Sequence, residues 1–180
     1  MIIPIVVGTV TVLALGALGF VITRPNEFRV IREITINAAP EVVFGLVGDL
    51  RRWDDWSPWA KLDPHCKMTY GETEKGKGAW YEWNGNNKVG EGKLMITESQ
   101  PSSGLRLRLQ FIRPFKCEND VDFCFKTERS GTRVIWGMDG KNNFMSKAMC
   151  LVMNMDKMVG KDFEKGLSSL KTLAEAGQKS

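Results

Sequence analysis

The chain has 180 residues, 43% of them hydrophobic, with 25 Lys and Arg against 21 Asp and Glu. The net charge of +4 is weak and spread along the chain, with no Lys/Arg block, so nucleic acid is not an expected partner. The four cysteines show no CxxC spacing and one histidine is present, which excludes the common zinc frameworks.

The first elements contrast with everything after them. Residues 1–23 carry no charged side chain. About twenty apolar residues in a helix cross a hydrocarbon core, so 2–23 predicts a transmembrane anchor. A cleaved signal peptide is the rival, with Ala17-Leu18-Gly19 as a cleavage site. The run exceeds a usual apolar signal core and lacks a basic leader, which favours the anchor. Arg24, Arg29 and Arg32 follow it, and positive residues favour the cytoplasmic side. The expectation is therefore a single-pass membrane protein with its C-terminal domain in the cytoplasm. Cys66, Cys117, Cys124 and Cys150 as unpaired thiols suit the same reducing compartment. The expected division is anchor 2–23, linker 24–27, domain 28–175 and tail 176–180, and the domain is long enough for one real core.

Phe28, Val30, Ile34 and Ile36 alternate along a predicted strand, interrupted on that face by Arg32. Ala39-Pro40-Glu41 then opens a helix, with Pro at its first position. Val43, Leu46, Val47 and Leu50 recur at helical spacing. Asp49 to Trp59 is aromatic and turn-rich. From Lys67 to Lys141 the chain reads as strands separated by turns. Tyr81 and Trp83 share a face, and Asn84-Gly85-Asn86 marks a turn. Leu94 and Ile96 follow. Leu105, Leu107, Leu109 and Phe111 face one way and Arg106, Arg108 and Gln110 the other. Pro114 belongs in a turn or bulge. Val121, Phe123 and Phe125 mark the next strand, and Val134, Trp136 and Met138 the last. The period then becomes helical, with one apolar stripe from Phe144 through Leu151, Met155, Val159, Phe163, Leu167 and Leu170 to Ala174.

Strands, short helices and one long amphipathic helix make an α+β fold, a curved antiparallel sheet wrapped around the C-terminal helix. Such a sheet leaves space that commonly holds an apolar ligand. Trp53, Trp56 and Trp59 recur every three residues. They fit either a lid over that space or packing of the short helices. Tyr81, Trp83, Phe111, Phe123, Trp136 and Met138, with Met155 from the helix, either line the space or fill it. Asp54, Asp55, Glu82, Asp120, Asp122 and Tyr81 are the acid/base candidates. No catalytic set, dinucleotide fingerprint or other cofactor motif is visible.

Ile36 to Phe44, Asp49 to Trp59, Gly78 to Trp83, Gly90-Glu91-Gly92 and Met155 to Glu164 carry a resemblance. On them the chain resembles the START-like (SRPBCC, helix-grip) superfamily, in its polyketide cyclase/dehydrase and lipid-transport branch, as a membrane-anchored member. The resemblance implies the helix-grip fold. It does not decide activity, since the superfamily includes lipid carriers, aromatase/cyclases and co-chaperones. No cyclase catalytic residue carries over. The first reading is a non-catalytic domain binding a hydrophobic or amphipathic molecule, such as a lipid, quinone or polyketide-like compound, with no cofactor. The alternatives are a cyclase/dehydratase-type enzyme and a protein-interaction adaptor.

Overall fold

The computed structural model describes residues 16, 19, 20, 23, 25–141 and 155–177. Strand β1 (Glu27–Ile36) leads into helix α1 (Pro40–Gly48), a single 3-10 turn (Leu50–Arg52) and the short helix α2 (Trp53–Trp56). A meander follows: β2 (Lys67–Tyr70), β3 (Trp80–Asn84), β4 (Glu91–Gln100), β5 (Gly104–Arg113), β6 (Cys117–Glu128) and β7 (Gly131–Lys141). Helix α3 (Met155–Ala176) closes the fold. The seven strands form one antiparallel sheet in the order β1-β7-β6-β5-β4-β3-β2. The first strand therefore returns to pair with the last.

The predicted alternation decides which face is covered. Val30, Ile36, Leu94, Ile96, Leu105, Leu107, Val121, Phe123, Val134 and Trp136 are all buried on the inner face. The outer face carries cross-strand ion pairs, such as Arg133–Glu33, Lys93–Glu82 and Arg108–Asp120. Pro40 starts α1, as its fixed φ allows, and Val43, Leu46, Val47 and Leu50 are buried as their spacing predicts.

Helix α3 closes over the inner face with Phe163, Leu167, Leu170 and Ala174, all buried. Phe163 stacks on Trp136 with ring centroids 3.9 Å apart and planes 8° from parallel. Arg32, the charge that interrupts the apolar pattern of β1, fixes the same helix. Its Nε donates to Glu164 Oε1 at 2.7 Å and its guanidinium donates to Asp156 Oδ1 at 3.0 Å. A second nitrogen donates to the Asp156 backbone carbonyl at 3.0 Å. Gly160 lies between these acids, and any side chain there would collide with the guanidinium. The glycine that weakens a helix on propensity grounds is thus required by the clamp.

One expectation is corrected. Among the described residues no helix is long and apolar enough to cross a membrane, and this overturns the single-pass membrane localisation with a cytoplasmic domain. Helix α3 has the length, with 22 residues, but alternates charges such as Asp156, Lys161, Glu164 and Lys171 with its apolar stripe. Of the predicted span 2–23, only Gly16, Gly19, Phe20 and Thr23 are described, and Phe20 is exposed there. The rest of the span lies outside the described residues, as does the predicted start of the C-terminal helix over 144–154.

Two outcomes test the helix docking. Phe163→Ala removes a fully buried ring and its stacking partner's contact, and should lower unfolding free energy by about 3–5 kcal/mol in denaturant titrations. The second concerns pH. Hydrogen bonds from Arg32 hold the Asp156 carboxyl below its ordinary value of 3.8. A lowered folded value means the stabilisation is complete above 3.8 and is lost as pH falls through the lowered value. Arg32→Met should therefore flatten the acid limb of the stability–pH curve, and an unchanged limb would show that the clamp contributes nothing.

Candidate binding site at the open end of the concave face

Burial falls off along β5 toward one end of the sheet, and half-buried apolar residues stand on β1 and β3 at the same end. On β5, Leu105 and Leu107 are buried, whereas Leu109 and Phe111 are half-buried. On β1, Val30 is buried and Phe28 half-buried. On β3, Tyr81 and Trp83 are half-buried. The register joins these positions: Trp83 opposes Gly92, which opposes Phe111, and Phe28 opposes Gly140, which opposes Asn119.

The direction of α3 is fixed by its contacts with β1. Its first turns meet Arg32, while Lys171 donates to the Thr35 carbonyl and Glu175 accepts from the Asn37 backbone N–H. The helix thus runs alongside β1 toward Ile36 and stacks Phe163 on Trp136 of β7, while α1 packs Phe44 on Phe125 and brings Gly48 next to Leu105. Phe28, Leu109, Phe111 and Trp83 stand at the other end of these strands and are half-buried. A hollow of about 480 Å³ at this end is lined mostly by charged outer-face residues, Glu27, Arg108, Glu118, Asp120, Asp139 and Lys141, with Phe28, Asn119 and Gly140, and so does not belong to the apolar inner face.

The aromatic residues predicted from the sequence divide between the two halves. Trp53 and Trp56 are buried, with centroids 4.8 Å apart, and both reach Phe123 and Trp136 edge-on. Their indole N–H groups donate to the Val47 and Leu46 carbonyls, so they bind α2 to α1. Trp59 is half-buried and meets Trp136 and Phe163 edge-on. These rings, with Phe123, occupy the covered half. Tyr81, Trp83 and Phe111 form a chain of contacts across the open half, at 5.9 Å and 5.4 Å. Trp83 lies over Gly92, where a side chain would collide with its ring, and donates to the Val89 carbonyl at 3.0 Å. Met138 is buried between the two halves. Met155 is the first residue of α3.

The carboxylates do not converge on this face. Glu82 pairs with Lys93, Asp120 with Arg108, Asp122 with Arg29 and Asp55 with Arg52, all on the outer face or the surface. Asp54 is exposed, and its carboxyl is raised first by desolvation and then by Asp55. Burial pushes the Tyr81 phenol far above its ordinary value, with smaller contributions from Tyr70 and Asp54. It is a neutral group at any physiological pH. Among the described residues no cluster of His, Cys, Asp and Glu could hold a metal. Cys66, Cys117 and Cys124 are free thiols.

Three features escaped the sequence reading. Leu109 and Phe28 are strand residues like any others in the sequence, and only the fold shows them half-buried. Asn119 is a buried amide on the inner face, with a weak 4.0 Å contact to Cys117 Sγ, and its position after Cys117-Glu118 gave no signal. Asp63 accepts from the backbone N–H groups of His65 and Asn86 and so ties the loop after α2 to the β3–β4 turn.

Residues 27–175 match the family described as polyketide cyclase / dehydrase and lipid transport. The chain belongs to this family. No curated protein matches it. Solved structures share its fold at low identity. A Chromobacterium violaceum protein superposes with a TM-score of 0.59 at 15% identity, over 84% of this chain and 99% of its own. The Aha1 dimer from Colwellia psychrerythraea gives 0.59 at 16% identity, over 83% and 98%. The di-domain aromatase/cyclase StfQ of the steffimycin pathway gives 0.61 at 9% identity, over 86% of this chain and 53% of that protein. At these identities the likeness is one of fold.

A titration tests the environment of the site. Burial raises both Tyr81 and Tyr70, the two tyrosines of the chain. Neither should ionise near the free value of ~10 followed by ultraviolet phenolate absorbance. Folding stability should fall as pH climbs above ~10, because the unfolded phenol loses its proton first. A normal two-tyrosine titration in the folded protein would place Tyr81 in water.

Proposed function

We propose that this domain binds an apolar or amphipathic small molecule on the open half of its concave face and performs no reaction on it. The observation that carries the reading is a set of half-buried apolar residues at one end of the inner face, Phe28, Tyr81, Trp83, Leu109 and Phe111, while Val30, Leu105 and Leu107 farther along are buried. Large rings left partly in water on an inward-facing surface gain about 25 cal/mol per Å² when a ligand covers them. A ligand burying ~400 Å² would gain about 10 kcal/mol before the cost of association, which is compatible with micromolar binding. The absence of chemistry follows from the charges. Catalysis on such a ligand requires acid and base groups aimed at it, and the described carboxylates at this sheet are paired on the other face. Membership in the family supports a small hydrophobic ligand and leaves its identity open.

Native mass spectrometry of the purified protein, with solvent extraction of bound compounds, tests the reading. A retained lipophile is expected, and palmitate or 1,4-naphthoquinone should quench tryptophan fluorescence at micromolar concentrations. Phe111→Asp should weaken binding at least tenfold, which is about 1.4 kcal/mol, while the half-exposed position spares the fold. A protein that carries nothing and responds to neither probe would sink the proposal.

A further inference from the structure

Polar side chains are rare on the inner face, and those over its covered part have partners or lie among packed rings. Arg32 bonds Asp156 and Glu164, and Thr132 donates to the Ala38 carbonyl at 2.7 Å. Trp136 is enclosed by Phe163, Phe123, Trp53, Trp56 and Trp59. Asn119 differs in place and in partners. Val121, Phe123 and Phe125 alternate along the inner face of β6, and the same period puts Asn119 at the next inner position, where an apolar residue is expected. It is 6% exposed. A primary amide has two N–H donors and an acceptor oxygen, and burial makes each unmade bond costly. Among the described residues the amide makes one hydrogen bond, from Nδ2 to Cys117 Sγ at 4.0 Å, and sulfur is a weak acceptor.

Its neighbours decide which way the amide faces. Register sets Phe28, Gly140, Asn119, Leu109 and Leu94 side by side across β1, β7, β6, β5 and β4. Phe28 and Leu109 are half-buried. Gly140 stands between Phe28 and Asn119, and a Cβ added there would collide with both the Asn119 Oδ1 and the Phe28 ring. The carbonyl end of the amide therefore lies in the space over Gly140, against Phe28. The amino end turns to Cys117, two residues nearer the end of the strand, half-buried and paired in register with Phe111. Both ends of the amide are thus turned toward half-buried residues. Val121 and Met138, opposite each other one inner row deeper, are buried behind it.

We propose that Asn119 is the polar recognition group of the half-buried end, and that the ligand there is an apolar molecule carrying a donor and an acceptor side by side, as in a carboxamide or a lactam. This rests on the reading that this end of the inner face binds a small molecule. Phe28, Leu109 and Phe111 take the apolar body. Asn119 Oδ1 accepts from the ligand N–H, and Nδ2 donates to the ligand carbonyl in place of the weak sulfur contact. A carboxamide entering an apolar surface loses its bonds to water, and only a partner of this kind offsets the loss. A hydrocarbon of the same shape would leave the buried amide unbonded, so the site discriminates against it.

The test uses 2-naphthamide, 2-acetylnaphthalene and 2-isopropenylnaphthalene, which share one shape. They offer a donor with an acceptor, an acceptor alone, and neither. The full chain, labelled with nitrogen-15, is titrated with each while the side-chain amide resonances are followed. The Asn119 pair is identified by its loss in Asn119→Leu, which installs the kind of residue the strand pattern calls for. Affinity should rise at least tenfold from the hydrocarbon to 2-naphthamide, with the ketone between them. The carboxamide should also shift the Asn119 pair, and Asn119→Leu should abolish the order of affinities. A hydrocarbon that binds as tightly as 2-naphthamide would overturn the proposal and leave ligand binding itself standing. So would an order of affinities that survives in Asn119→Leu. Binding of none of the three would overturn the binding reading and the proposal with it. Should Asn119→Leu lose its circular dichroism signature, the order of affinities on the natural chain still decides.

Discussion

The stack of Phe163 on Trp136 is the constraint on which the rest of the structure depends. A helix crossing a curved sheet touches it well at one place and diverges elsewhere. The contact here is between two large flat rings, and Phe123, Trp53, Trp56 and Trp59 pack around it. Rings of this size fill the wide part of the gap without polar atoms. They also hold the short helices α1 and α2 in place, since the indoles that reach the core donate back to α1. The covered half of the domain is a core in the ordinary sense, and any room for a ligand lies away from it.

The clamp at Arg32 sets how far that core extends. A guanidinium on an apolar face loses solvation, and the loss is offset by two carboxylates about two turns apart on α3, Asp156 and Glu164, and by the Asp156 backbone carbonyl. The arrangement has one register, because the three acceptors and Gly160 must meet one side chain together. Sliding the helix along β1 would break it. The aromatic stack supplies most of the burial, and the ion pairs fix where along the sheet that burial begins.

Much of the fold was legible in the chain because its signals are local. Alternation in β5, β6 and β7, the Pro40 helix start and the stripe through Phe163 and Leu170 each depend on neighbours within a few residues. The site was legible in part. Tyr81, Trp83 and Phe111 could be assigned to the inner face from period alone. That Trp53 and Trp56 are core, while Leu109 and Phe28 are half open, depends on where α3 lies over the sheet. That position is set by contacts between residues 124 and 132 apart in sequence, and no local pattern encodes them. Arg32 was visible as a break in the pattern, yet its meaning required its partners. The same holds for the Trp136 indole N–H: the residue type says it wants an acceptor, and only three dimensions show it buried with no hydrogen-bond partner among the described residues. The charge-free beginning of the chain gave the strongest sequence signal and the one the described helices do not uphold.

The pairing of β1 with β7 has a consequence for the way the chain must be made. Strands β2 to β7 can zip up in the order they leave the ribosome, each against its predecessor. β1 cannot, since its ladder partners run from Thr132 to Lys141. At ~5–20 residues per second, the hundred or so residues between Ile36 and β7 take about 5–20 s to appear. Throughout that interval Val30, Ile34 and Ile36 belong to a strand with an unpaired edge and an uncovered apolar face. Closure of the sheet, and the docking of α3 that follows it, therefore come last, after release of the C-terminal helix. The nascent chain spends its most aggregation-prone seconds with its first strand waiting for its last.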